Sequence, residues 1–120
     1  MVNSRKYRIA LMARAADLKE SMARRQAIQI EAAADDMDRT VQAAERDLAV
    51  LGLDEDHRKL REVESALRRI DHGTFGECQR CEEPIAERRL NAVPWAALCL
   101  GCQEEADYLH YAVGRAPAAA

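Results

Sequence analysis

The residues of this chain most able to do chemistry are four cysteines, and their spacing narrows the chemistry. Cys78-Gln79-Arg80-Cys81 and Cys99-Leu100-Gly101-Cys102 are two C-x-x-C pairs separated by 17 residues. That separation falls in the window of roughly 15 to 20 residues in which a second knuckle returns to the ion held by the first. Two intervening residues present both thiolates of a pair at tetrahedral separation, so the four sulfurs can close the shell of one structural Zn2+. No position is then left open for a catalytic water. A C-x-x-C pair can instead cycle as a redox dithiol when it opens a helix beside a parallel sheet, and four thiolates can also ligate an iron–sulfur cluster. No strand–helix alternation accompanies either pair here, so zinc leads both alternatives. A disulfide framework would spread its staples across a small secreted domain, whereas these cysteines crowd into 25 residues. The thiols are therefore expected to be metal ligands in a reducing cytoplasm.

Other chemistry is sparse. His57, His72 and His110 have no ligand-like spacing to one another or to the cysteines. No Ser-His-Asp order, phosphate-binding loop or dinucleotide glycine pattern occurs, so no catalytic residues are expected and the chain is read as a non-enzyme. Residues 78–102 hold Arg80, Arg88 and Arg89 against Glu82, Glu83 and Glu87, and four thiolates with one Zn2+ add a formal charge of −2. A net-negative finger is a poor phosphate binder, so no direct DNA recognition is expected, with Arg88 and Arg89 pairing to the nearby glutamates. The sequence pI of about 5.6 points the same way.

Two long helices must position this finger. Residues 4–33 lack Pro and Gly and place Tyr7, Leu11, Leu18, Met22, Ile28 and Ala32 at mostly helical spacing. A second helix over about 38–71 carries Val41, Ala44, Leu48 and Leu51, then Leu60, Val63, Leu67 and Ile70. The two sets are out of phase, and the slip falls at Gly52-Leu53-Asp54-Glu55-Asp56, which predicts a weak point or bend there. Joined by the short Asp35-Asp36-Met37-Asp38 stretch, the helices should fold back as an antiparallel coiled-coil hairpin. Charge supports the pairing: residues 1–34 are net +4 and residues 35–72 net −4.

The expected architecture is mainly all-α: a hairpin over 1–72 with an acidic tip at 35–40, a four-cysteine zinc segment with a short C-terminal helix over 73–113, and a flexible tail over 114–120. That last helix is expected over Gln103–Val113 with an acidic first turn. In 120 residues with five aromatics the core must be thin. Zinc binding, worth about 10 to 16 kcal/mol in finger peptides, would supply what burial does not, with Phe75 and Trp95 packing beside the knuckles. No apolar run approaches the roughly 18 residues of a membrane span. A hairpin that satisfies its own seam is expected to be a monomer, with a domain-swapped dimer open at the discontinuity near Gly52. On residues alone, Asp35, Asp36 and Asp38 can be read simply as capping the second helix and solubilising the turn.

The run Ala66-Leu67-Arg68-Arg69-Ile70-Asp71-His72-Gly73-Thr74-Phe75-Gly76-Glu77-Cys78, followed by Pro84-Ile85, Arg88-Arg89-Leu90, Ala92-Val93-Pro94 and Leu98-Cys99, resembles the DksA/TraR family of bacterial RNA polymerase regulators. The resemblance covers residues 5–113. It implies a zinc-bearing, non-enzymatic transcription regulator whose hairpin enters the secondary channel of RNA polymerase, the pore that admits nucleotides. The family's tip motif, Asp-x-x-Asp-x-Ala, is met here at Asp35 and Asp38, with Thr40 in place of the alanine. Carried over, those two carboxylates would act electrostatically near the polymerase centre, and Thr40 would alter the fit.

Long members also bind guanosine tetraphosphate through basic side chains, at positions held here by Glu62, Val93 and Gln103, so a weak response or none is expected. Gly52 to Asp56 is likewise neutral or acidic where a basic polymerase-facing patch is expected. The start of the chain close to its first helix suggests a shorter, divergent paralogue. The competing expectation is a zinc-stapled protein-interaction adaptor that binds polymerase or another partner with little regulatory output.

Overall fold

The computed structural model describes residues 3–34 and 39–114. Helix α1 spans Ser4–Ala34, α2 Arg39–His72, α3 Glu87–Ala92 and α4 Leu100–Gly114; among the described residues the β-pairing is one isolated antiparallel bridge between Glu77 and Pro84. The fold is thus mainly helical, as expected, and both long helices start and stop within a residue of their predicted bounds. α1 and α2 lie antiparallel: Arg8 of α1 bonds Asp71 at the base, and Ser21 and Arg25 bond Asp56 further out. Among the described residues, the two cross-hairpin ion pairs each set a basic α1 residue against an acidic α2 residue, in the sense the charge sums predict.

The core sits at the base of the hairpin and is shared with the cysteine segment. Tyr7, Leu11 and Leu18 of α1 meet Val63, Ala66 and Ile70 of α2, and Cys78, Ile85, Leu90 and Ala96 close the same cluster. Each large apolar side chain buried here contributes about 1.5 to 3 kcal/mol, which fixes the finger to the helices rather than leaving it on a tether.

The outer seam differs from expectation. Val41, Leu48 and Leu51 are 52%, 67% and 65% exposed, while the buried residues of that stretch are Gln42, Ala49, Leu53 and Asp56. With Leu60, Val63, Leu67 and Ile70 these form one continuous run of three- and four-residue steps beyond Ala49. No slip exists, and α2 is unbroken through Gly52. The cause is Asp56: a carboxylate occupies a seam position, so the apolar pattern vanishes there and the neighbouring leucines mimic a different phase.

The second helix ends on a positive-φ glycine. Gly73 at φ 76° lets its N–H reach the Ile70 carbonyl and the Thr74 N–H reach the Arg69 carbonyl, at 3.2 and 3.0 Å. These bonds satisfy the last carbonyls of α2 and turn the chain directly into the first knuckle.

Candidate metal centre

The first knuckle is built by backbone bonds. The Ile85 N–H donates to Gly76 O at 2.7 Å and the Cys78 N–H to Glu83 O at 2.8 Å, folding residues 76–85 into a tight hairpin. Within it the Glu82 N–H returns to Cys78 O at 2.9 Å, so Cys78 and Cys81 face the same side. The Gln79 N–H donates to Ala97 O at 2.9 Å, which brings the second knuckle alongside. Cys99 immediately precedes α4 and Cys102 lies in its first turn.

The four sulfurs all lie within 4.8 Å of one another, and Cys81 Sγ to Cys99 Sγ is 3.8 Å. A tetrahedral site with Zn–S bonds of about 2.3 Å has sulfurs about 3.8 Å apart, whereas a disulfide needs about 2.05 Å. The donor set therefore fits one structural Zn2+ held by Cys78, Cys81, Cys99 and Cys102. Burial opposes ionisation of Cys78, but backbone N–H groups of Cys81, Cys99 and Arg80 donate to its sulfur and bring its pKa down to about 6. Hydrogen bonding with Cys99, followed by burial and the proximity of Cys78 and Cys81, pushes Cys102 up to about 12. Thiols so crowded do not ionise together unaided; a divalent cation among them resolves that conflict.

The finger is fastened to the hairpin by polar as well as apolar contacts. Phe75 packs on the Tyr7 ring with centroids 5.3 Å apart, and the Arg14 guanidinium lies 5.5 Å from the Trp95 ring. The Tyr7 hydroxyl and Lys6 Nζ both donate to Asn91 Oδ1, at 2.8 and 2.9 Å. Buried Arg69 donates to Ser65 Oγ at 2.8 Å and to the carbonyls of Trp95 and Ala96 at 3.3 and 3.4 Å. Burial first, and Arg68 beside it, hold that guanidinium below the usual arginine range. Phe75 and Trp95 thus flank the zinc segment as expected, and they also bridge it to α1.

Two local expectations are corrected. Arg88 and Arg89 make no ion pair with Glu82, Glu83 or Glu87 among the described residues; Arg89 Nε donates instead to Leu98 O at 3.0 Å, a backbone carbonyl that stands nearer, while Arg80 pairs with Glu105 of α4 at 3.1 Å. The last helix begins at Leu100 rather than Gln103, because Cys99 and Cys102 span its start, and its first turn carries no acidic residue.

Asp35, Asp36 and Asp38 lie outside the described residues, as does the side chain of Thr40. Glu62, Val93 and Gln103 do converge, lining a cleft of about 200 Å³ with Arg89, Trp95 and Leu98. In that cleft the Glu62 carboxylate already accepts Arg58 Nη1 at 2.7 Å. Sequence reasoning missed Ser21, Arg25 and Asp56 as a contact group, although Asp56 falls on the heptad extrapolated back from Ile70. It also missed Asn91, for which no pattern signalled a partner.

A helical hairpin welded at its base to a four-sulfur metal staple defines the chain as a zinc-finger protein whose long arms project from that staple. Residues 73–108 match the prokaryotic dksA/traR C4-type zinc finger. The chain is 36% identical over 73 residues to the RNA polymerase-binding transcription factor DksA of Haemophilus influenzae, covering 61% of this chain and 50% of that one. It is 33% identical over 73 residues to the protein of the same name from Escherichia coli (strain K12), covering 61% and 48%. An uncharacterized protein of Aquifex aeolicus is 50% identical over 48 residues, 40% of this chain and 33% of that one. The aligned region thus spans half or less of these curated relatives. Transcription factor DksA2 from Pseudomonas aeruginosa shares the fold, with a TM-score of 0.78 at 22% identity over 88% of this chain and 83% of that one. The finger segment is thus similar to the dksA/traR C4-type zinc finger, and the chain as a whole shares the fold of a DksA protein.

Proposed function

We propose that this protein is a non-enzymatic regulator of transcription initiation that binds bacterial RNA polymerase. The observation that carries the reading is the joint one: a long antiparallel hairpin and a four-sulfur centre share a single core, in a chain whose relatives are named RNA polymerase-binding transcription factors. In this reading the hairpin enters the secondary channel and Asp35 and Asp38 act there as fixed negative charges. They compete for Arg and Lys contacts or perturb ion positions without doing chemistry themselves. The protein acts in the cytoplasm as a monomer.

The test is a titration of labelled, zinc-loaded protein with purified bacterial core polymerase, in competition with an established secondary-channel binder. Saturable binding that the competitor displaces is the expected result; no binding at micromolar polymerase would overturn the reading. In purified transcription, Asp38→Asn should leave the fold intact and reduce regulation severalfold, and equal output from both proteins would refute the tip mechanism. Thr40→Ala should strengthen regulation if the β-branched hydroxyl limits tip fit.

The cleft lined by Glu62, Val93 and Gln103 favours a weak guanosine tetraphosphate response: among the described residues its one lining cation, Arg89, already donates to Leu98 O, and Glu62 adds a carboxylate that takes up Arg58. It also gives weight to the second reading, a protein adaptor that binds polymerase or another partner with little regulatory output. Polymerase binding without any change in promoter output would select it.

A further inference from the structure

The hairpin changes character at one layer. On the side of the zinc centre, Tyr7, Leu11, Leu18, Val63, Ala66 and Ile70 are all buried. Beyond that layer no large apolar side chain of α1 is buried among the described residues: Ile28 is 45% and Ile30 70% exposed. The described residues of the facing stretch of α2 bury only Gln42, Ala49 and Leu53, and Gln42 Nε2 has no hydrogen-bond partner. A groove of about 420 Å³ opens between Arg25, Ile28, Glu31, Glu45, Leu48 and Ala49. The arms there touch without filling the seam.

The layer itself is polar, built on a buried carboxylate with partly exposed partners. Asp56 is 6% exposed, and its Oδ2 accepts both Ser21 Oγ at 2.7 Å and Arg25 Nε at 3.1 Å. Gly52, one turn before Asp56, is the seat for the arginine: a Cβ there would stand 2.0 Å from Arg25 Nη1 and 2.3 Å from its Cζ, displacing the guanidinium. The glycine is therefore a cradle for Arg25.

We infer that the Ser21–Arg25–Asp56 layer, seated on Gly52, is a conformational stop that lets the outer third of the hairpin open while the base stays closed. Outward of it, opening uncovers little apolar surface and costs correspondingly little. Inward of it, opening must break two bonds to one desolvated carboxylate and then strip the shared core, so fraying halts at the layer. The device gives the arms freedom to adapt without loosening the metal centre.

Amide hydrogen exchange on the full zinc-loaded chain tests this. Amides of 26–33 and 42–51 should exchange at least about tenfold faster than those of 9–18 and 59–70. Asp56→Ala should cut protection of 12–18 and 59–66 by about tenfold while leaving 42–51 nearly unchanged. Gly52→Ala is the second variant, and its sign is diagnostic: helix propensity alone would slow exchange in α2, whereas displacement of Arg25 should speed it at 59–66. Equal protection of the two halves in the wild type would overturn the inference. So would Asp56→Ala effects spread evenly over both halves or confined to the outer one, or slower exchange at 59–66 in Gly52→Ala.

Discussion

Glu82 holds φ at 64°, among the described residues the one non-glycine in the left-handed region. It follows Cys81 directly, and the turn it makes carries the bond from its own N–H to Cys78 O that aligns the first pair of sulfurs. An L side chain in that conformation costs about 1 to 2 kcal/mol, which here is offset by metal binding. Glu82→Gly is therefore expected to stabilise the zinc-loaded protein by about 1 kcal/mol, less than the full strain because glycine also loosens the unfolded chain. A thermal melt of the zinc-loaded protein measures it; an unchanged or lower Tm would mean that the Glu82 carboxylate contributes something that offsets the strain. A second residue-level expectation concerns Asn91. Its Oδ1 accepts from both the Tyr7 hydroxyl and Lys6 Nζ. Asn91→Ala should cost about 1 to 3 kcal/mol, because the Tyr7 hydroxyl sits on a buried side chain and loses its acceptor. Denaturant unfolding of the two proteins side by side reads the difference.

At the scale of the elements, the decisive group is Asp56. The Ser21 hydroxyl donating to it, with Arg25 and Lys59 adding favourable charge, outweighs burial and holds its pKa below the usual carboxylate value. A depressed folded-state pKa contributes stability that is present above the unfolded value of about 3.9 and is lost as pH falls below it. Asp56→Asn is accordingly expected to cost about 1 to 3 kcal/mol at pH 7, with the gap between variant and wild type narrowing as pH falls below the unfolded value of about 3.9 and through the lower folded-state value. Zinc release in acid is common to both proteins, so the difference between their urea-unfolding curves isolates Asp56; a gap independent of pH would refute the assignment. The same residue shows how far the elements were legible in the sequence. Both long helices could be bounded because residues 4–33 contain no Pro or Gly and because Gly73 stops α2 with its paired carbonyl bonds. The outer seam could not, since Leu48 and Leu51 outrank Ala49 and Asp56 in apolarity while only the latter pair faces α1. α3 left no trace either: six residues with no side-chain cap are specified by the burial of Leu90, a tertiary effect. The metal site was fully legible because ligand spacing is a local property, whereas the second knuckle's register depends on the Gln79 to Ala97 bond, which spacing does not encode.

For the whole molecule, the shared core makes metal and hairpin interdependent, and the chain carries its own reporter of that coupling. Trp95, the single tryptophan, lies between the two halves: its ring faces Arg14 of α1 and its carbonyl accepts Arg69 of α2. Chelating zinc at pH 7 leaves four crowded cysteines with no cation to share and no longer ionised together, so residues 76–102 lose the constraint that holds the two knuckles together. α3 and α4, of 6 and 15 residues, are too short to persist alone and should melt, while α1 and α2, of 31 and 34 residues, stay joined by Leu18, Val63 and the Ser21–Arg25–Asp56 layer. Removal of zinc is therefore expected to shift Trp95 emission to the red and to loosen the base around Tyr7 and Leu11. It should cost only the minor share of the helical circular dichroism that α3 and α4 supply. Restoring one equivalent of Zn2+ should reverse both signals, and Cys78→Ser should fix the protein in the loosened state. Loss of nearly all helical signal on chelation would mean that the hairpin has no stability of its own. An unmoved Trp95 emission would mean that the base does not depend on the metal, and that the finger and hairpin are independent units despite the core they share.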